Sequence, residues 1–123
     1  MIKVLLVDDE ASVTRLMRMS LEDSGKFEVK TLNRPSEVLE MVKWYDPAVC
    51  VLDVIMPELS GLELAVQLRE HWGDKQRKII FLTAAISKDD ASMKHALMEG
   101  APVLAKPVSV DTLIKEIETV LAS

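Results

Sequence analysis

Residues 49–53 read VCVLD, an apolar run that ends in a carboxylate, and Pro57 and Gly61 stop any extended segment soon afterwards. Burying an ionised carboxylate costs several kcal/mol by typical estimates unless something pairs with it, so Asp53 needs partners. Other apolar runs end the same way. Asp8 and Asp9 follow residues 2–7, Thr83 follows residues 78–82, and Lys106 with Pro107 follows residues 101–105. In a parallel sheet all these positions lie at the carboxyl edge, where ligands bind at the point of reversed strand order, so the residues converge on one crevice. Three carboxylates crowded there repel one another and call for a compensating cation. Oxygen ligands that leave positions open to water favour Mg2+. Lys106 adds a compact positive charge suited to a phosphoryl oxygen, and Thr83 a hydroxyl donor. The set describes a site that neutralises a phosphoryl group while a carboxylate attacks it.

Each residue also has a plainer explanation. Asp8 and Asp9 alone would be an ordinary acidic turn, Lys106 before Pro107 a solvated turn lysine, and Thr83 a strand-end hydroxyl. Those explanations place each residue independently, whereas the chemical reading needs all of them at strand ends of one sheet. The joint pattern favours the chemical reading.

The elements that must position these residues follow from periodicity. Residues 2–7 form a nearly continuous β-branched and leucine run, expected of a strand covered on both faces. Helical spacing then recurs through Val13, Leu16, Met17, Ser20 and Leu21, with Arg15 and Arg18 turned outward and Gly25 as the stop. Residues 27–32 read as a strand nearer an edge, and Pro35 opens a second helix through Val38, Leu39, Val42 and Tyr45. Asp46 and Pro47 break that helix ahead of the strand that carries Asp53. Ser60 with Glu63, and Ser87 with Asp90, read as capping boxes for a third and a fourth helix. The third buries Leu64, Ala65, Leu68 and Trp72; the fourth uses Met93, Ala96 and Leu97 and stops at Gly100. Pro102 marks residues 101–105 as an edge strand. Ser109 caps a last helix with its stripe at Leu113, Ile114, Ile117, Val120 and Leu121. Five strands alternating with five helices are the signature of an α/β fold with a doubly wound parallel sheet.

Composition agrees with that economy. The chain has 123 residues, 49% of them hydrophobic, which suits one domain over residues 1–123. A net charge of −5 argues against a broad nucleic-acid footprint. Cys50 sits alone in an apolar run and reads as a small core residue in a reducing compartment. The apolar run at the N-terminus is too short for a signal peptide, and no stretch is long enough to span a bilayer, so a cytoplasmic location without membrane insertion is expected. His71 and His95 lack companion ligands and read as solvent-facing. Met19 falls off the first helix's apolar stripe; Trp44, near the end of the second helix, reads either as an exposed contact residue or as partly buried.

Four segments together carry a family resemblance: VLLVDDE at residues 4–10, LDVIMPELSG at 52–61, the strand-end Thr83, and GAPVLAKP at 100–107. Over essentially its full length the chain resembles the receiver domain of bacterial two-component response regulators, and the ordered set is specific where an acidic pair alone is not. The resemblance implies a flavodoxin-like sheet of order 2-1-3-4-5 and makes Asp53 the phosphoacceptor, taking its phosphoryl group from the phosphohistidine of a sensor histidine kinase or a histidine phosphotransfer protein. It further implies that Asp9 and Asp53 bind one Mg2+, or Mn2+ in its place, directly, with Asp8 acting largely through water and the Ile55 backbone carbonyl as a further ligand. Thr83 and Lys106 would contact phosphoryl oxygens, Pro57 and Gly61 would shape the loop, and the Lys106–Pro107 bond would be cis. Output would pass to an effector domain or target protein through the fourth helix, fifth strand and fifth helix, with a homodimer on phosphorylation and no direct nucleic-acid contact. Met19 is a candidate for the kinase-docking face that the family uses. Such a module turns over no separate substrate.

The chain departs from the family at Val103, where a Tyr or Phe usually serves as the switch residue, and its segment from Gly100 to Lys106 is one residue shorter than the usual pattern. Ile55 and Ala85, two residues beyond Asp53 and Thr83, are apolar and cannot orient an attacking water, so spontaneous loss of the phosphoryl group is expected to be slow. Other readings fit less well. An aspartate-nucleophile phosphatase needs a second Asp where Ile55 stands, and a flavodoxin needs a Ser/Thr/Gly phosphate cradle where Asp8, Asp9 and Glu10 stand. A receiver that signals without phosphorylation would have no use for the complete acidic set, although Val103 suits it.

Overall fold

The computed structural model describes residues 1–75, 77–84 and 101–123. Five strands form one parallel sheet in the order β2-β1-β3-β4-β5: β1 (Ile2–Val7), β2 (Phe27–Leu32), β3 (Val49–Asp53), β4 (Lys78–Thr83) and β5 (Val103–Ala105). Around it lie α1 (Ala11–Asp23), α2 (Val38–Tyr45), α3 (Gly61–Trp72) and a C-terminal helix (Val110–Leu121). A 3-10 turn, Pro35–Glu37, leads into α2, with proline in its first turn as its fixed φ favours. The helix expected from Ser87 to Gly100, with Met93, His95, Ala96 and Leu97, lies outside the described residues, so four of the five expected α-helices are described.

The sheet separates two cores. Leu5, Val7, Cys50, Leu52, Ile79 and Phe81 pack against α2 and α3, while Val4, Leu6, Val49, Val51, Ile80 and Leu82 pack against α1 and the C-terminal helix. Alternate residues of each central strand thus enter opposite cores, which is why those strands read as unbroken apolar runs rather than alternating ones. Ser60 and Ser109 cap their helices as expected, their hydroxyls accepting from the backbone N–H groups of Glu63 and Thr112, each at 3.2 Å. At the amino end of the sheet, Asp46 takes a left-handed backbone (φ 49°) and its carboxylate receives two hydrogen bonds from Arg77, at 3.1 and 2.7 Å. That pair ties the turn before β3 to the turn before β4.

Two expectations are corrected. Leu16, assigned to the buried stripe of α1, is 65% exposed, while Thr14 is 2% exposed. The helix faces the sheet through Thr14 and Leu21, with Val13, Met17 and Ser20 at the margins; the buried Thr14 hydroxyl donates to the Ala11 carbonyl of its own helix and accepts from Asn33 just past β2. Strand β5 begins at Val103 rather than Ala101, since Pro102 has no N–H for the ladder; its carbonyl still accepts from Phe81 N at 2.9 Å.

Candidate functional site

Register brings the strand-end residues level. Val7 pairs with Leu52, so Asp8 and Asp53 leave adjacent strands at the same height; Thr83 pairs with Ala105, so Lys106 emerges beside it. Asp8, Asp53 and Thr83 are buried, at 2%, 4% and 4% exposure, and Asp9 is exposed at the rim. The Lys106–Pro107 bond is cis.

The Lys106 ammonium contacts Asp8 Oδ2 directly and lies 3.2 Å from Asp53 Oδ2. The other oxygen of each buried carboxylate accepts from the backbone N–H two residues on: Glu10 N to Asp8 Oδ1 at 3.0 Å, and Ile55 N to Asp53 Oδ1 at 3.3 Å. Both carboxylates are therefore held alike, one oxygen on the chain's own turn and one on a shared cation. Carboxylate oxygens of Asp8, Asp9 and Asp53 all lie within 4.8 Å of one another. Burial and the Asp8 charge raise the pKa of Asp53 above the ordinary carboxylate value, opposed by Lys106 and the Ile55 N–H. Burial works against charge on Lys106, but the two carboxylates outweigh it and its pKa is raised. One ammonium facing three carboxylates leaves a negative excess. Oxygen donors alone, clustered at that spacing, fit a hard divalent cation such as Mg2+.

Gly61 lets the loop after β3 fold back onto the end of that strand. Its N–H donates to the Val54 carbonyl at 3.0 Å, and a Cβ built on it would lie 2.2 Å from the Asp53 carbonyl oxygen. No larger residue fits without displacing the backbone that carries Asp53. Ile55 meets the site through its N–H, its side chain standing 61% exposed beside the crevice. Val103 is half-buried and packs at the edge of the α2–α3 core. Ala85 lies outside the described residues.

Two residues that sequence reasoning passed over belong to the surroundings of the site. Asn33, just past β2, donates from Nδ2 to the Asp8 carbonyl at 2.8 Å and to Thr14 Oγ1 at 3.1 Å. The available signal was an asparagine at a strand exit beside the acidic turn, a weak one because asparagine is common in any turn. Elsewhere, His71 is exposed as expected, Met19 is exposed, Trp44 is exposed rather than partly buried, His95 lies outside the described residues, and Cys50 is buried with its thiol pKa pushed up by burial. No helix among the described residues is long and apolar enough to cross a membrane.

Comparison with known proteins agrees with this geometry. Residues 4–118 match the model of the response regulator receiver domain. Transcriptional regulatory protein SrrA of Staphylococcus aureus is 32% identical over 120 residues, which cover 97% of this chain and 47% of that protein. The chain thus spans about half the length of the curated relatives it matches. Among solved structures, chemotaxis protein CheY4 of Vibrio cholerae superposes with a TM-score of 0.86 at 30% identity, covering 98% of each chain. A response regulator receiver domain protein from Clostridium thermocellum gives 0.86 at 28% identity, covering 99% of this chain and 95% of its own.

Proposed function

The chain belongs to the response regulator receiver domain family, a family of phosphoacceptor signalling modules, and on that premise we propose that Asp53 accepts a phosphoryl group from a histidine kinase or histidine phosphotransfer protein. The observation that carries the reading is the placement of two buried carboxylates, Asp8 and Asp53, on one ammonium, Lys106, with Asp9 within 4.8 Å. An Asp53 oxygen attacks phosphorus as the bond to the donor imidazole nitrogen breaks, and the imidazole leaves with the bonding electron pair. Asp9, Asp53 and the Ile55 carbonyl would hold one Mg2+, or Mn2+ in its place, with Asp8 acting largely through water. When bound, the ion supplies positive charge against the phosphoryl oxygens. Lys106 carries a fixed positive charge to the same oxygens, and Thr83, buried at the end of β4, supplies a hydroxyl.

An apolar groove of about 500 Å3 runs beside the site between α1 and the lead into the C-terminal helix, lined by Val13, Leu16, Met17, Pro107 and Val108 among others. With Met19 exposed on the same helix, it suits the apolar face of the phosphodonor's helix. The 123 residues act as one receiver domain. Its output passes to an effector domain or target through the segment after β4, β5 and the C-terminal helix, with pairing of phosphorylated copies as one form of output. Phosphorylation shifts an existing two-state equilibrium. With Val103 at the usual aromatic position, side-chain ring rotation there is not the carrier.

Incubation with Mg2+ and acetyl phosphate followed by intact-mass measurement tests the reading. One phosphoryl adduct is expected, absent in Asp53→Asn and absent with EDTA. An adduct that persists in Asp53→Asn, or none in the wild type, would overturn it.

A further inference from the structure

The turn after β1 has to hold two like-charged side chains, Asp8 and Asp9, side by side at the mouth of the site. Repulsion works against that arrangement, and within the turn only the Asp8 Oδ1 that accepts from Glu10 N at 3.0 Å opposes it. Further contacts to the backbone at its start come from the β2 exit. Asp8 N donates to the Leu32 carbonyl at 3.2 Å, and Asn33 Nδ2 donates to the Asp8 carbonyl at 2.8 Å. The second hydrogen of the same amide reaches Thr14 Oγ1 at 3.1 Å, and that hydroxyl donates onward to the Ala11 carbonyl at 3.0 Å. One side chain therefore brackets the acidic turn, gripping its start at Asp8 and the first turn of α1 beyond its end. The amide nitrogen must face Asp8 because that carbonyl only accepts, and the Thr14 hydroxyl can accept from the same nitrogen while it donates to Ala11.

The consequence reaches Asp9. The Asp8 carbonyl and the Asp9 amide share one rigid peptide plane, so a hydrogen bond that fixes the carbonyl also fixes where Asp9 leaves the chain. Asp9 is exposed, yet its carboxylate lies within 4.8 Å of those of Asp8 and Asp53. We infer that Asn33, backed by the buried Thr14, is a positioning residue that sets the divalent-cation affinity of the carboxylate cluster by holding the Asp8–Asp9 peptide. The inference rests on the cluster being a cation site, as proposed above. An asparagine suits the role because it offers two donors from one nitrogen; Asp offers none and Ser one.

Calorimetric titration of Mg2+ into the wild type, Asn33→Ala and Thr14→Val tests this, alongside melting in EDTA and the acetyl phosphate labelling rate at saturating Mg2+. Asn33→Ala is expected to raise the Mg2+ Kd about tenfold, the lower end for partners that orient metal ligands, because Asn33 is itself solvent-exposed. Thr14→Val should raise it by a smaller factor, about threefold. Labelling at saturating Mg2+ should stay within about twofold of wild type in Asn33→Ala, since the cation once bound restores the arrangement. An unchanged Kd in Asn33→Ala, even with a lowered melting temperature, overturns the inference and leaves a merely structural residue. If Asn33→Ala does not fold, Thr14→Val carries the test by itself, and an unchanged Kd there overturns it. A wild type that binds no Mg2+ overturns the cation reading of the cluster and the inference with it, a result distinct from binding that is indifferent to Asn33.

Discussion

Replacing Gly61 by alanine adds one methyl group, at a point where the structure has no room for it. The new Cβ would lie 2.2 Å from the Asp53 carbonyl oxygen, 3.0 Å from its carbon and 3.1 Å from Val54 Cα, all of them backbone atoms that cannot rotate away. The peptide after Asp53 must retreat by about 0.8 Å to relieve the contact, in an interior packed too densely to absorb it freely. Overpacking of this kind costs about 2 kcal/mol, which in a chain of this size lowers Tm by about 6–10 °C. The same displacement moves the nucleophile. A shift approaching 1 Å at a reacting group costs on the order of 100-fold in rate, so acetyl phosphate labelling of Asp53 should fall by about thirtyfold or more. Gly25→Ala is the control: its φ of +76° makes a side chain unfavourable, but a Cβ there meets nothing within 4 Å. It should cost about 1 kcal/mol of stability and leave the labelling rate unchanged. Thermal melts followed by circular dichroism, with intact-mass time courses on both variants, separate the two effects. A Gly61→Ala protein that melts within about 1 °C of wild type and labels at the wild-type rate would refute the argument that this glycine is required by the backbone of Asp53.

Lys106→Met strips the shared cation from two buried carboxylates, so in EDTA the variant should lose about 2 kcal/mol, less than a fully buried pair because the lysine side chain is 15% exposed; urea melts check this, and Mg2+ should recover part of the loss. Asp53 carries a raised pKa in the folded state, so its charge opposes folding at neutral pH and its own contribution to stability rises as pH falls through the folded pKa toward the unfolded one. Asp53→Asn should therefore be more stable than wild type in EDTA at pH 7, with an advantage that shrinks by pH 4.5, and urea melts at the two pH values would refute this by showing a constant or growing gap. Ile55 stands exposed beside the nucleophile with no group to orient water; Ile55→Asn should speed loss of the phosphoryl group by about tenfold, short of the hundredfold that a full general base supplies, and unchanged or slower loss on repurified phosphoprotein would count against it.

What the sequence by itself determined is the part that depends on neighbours along the chain. Runs such as VLLV and VCVL mark strands buried on both faces because each residue's surroundings repeat every two positions, and a carboxylate ending such a run announces itself by the cost of burying it. Asp8, Asp53, Thr83 and Lys106 were legible on those terms, as were the serine caps of α3 and the C-terminal helix. The tertiary structure decided everything that needs two distant segments in register. Lys106 reaches Asp8 across 98 positions, Asn33 reaches the same residue across 25, and neither contact has a local signature. The rotation of α1 belongs to the same class. Helical spacing permits either Leu16 or Thr14 to face inward, and Thr14 is the one whose hydroxyl meets a polar partner there, the Asn33 amide at the exit of β2, a fact of packing rather than of period.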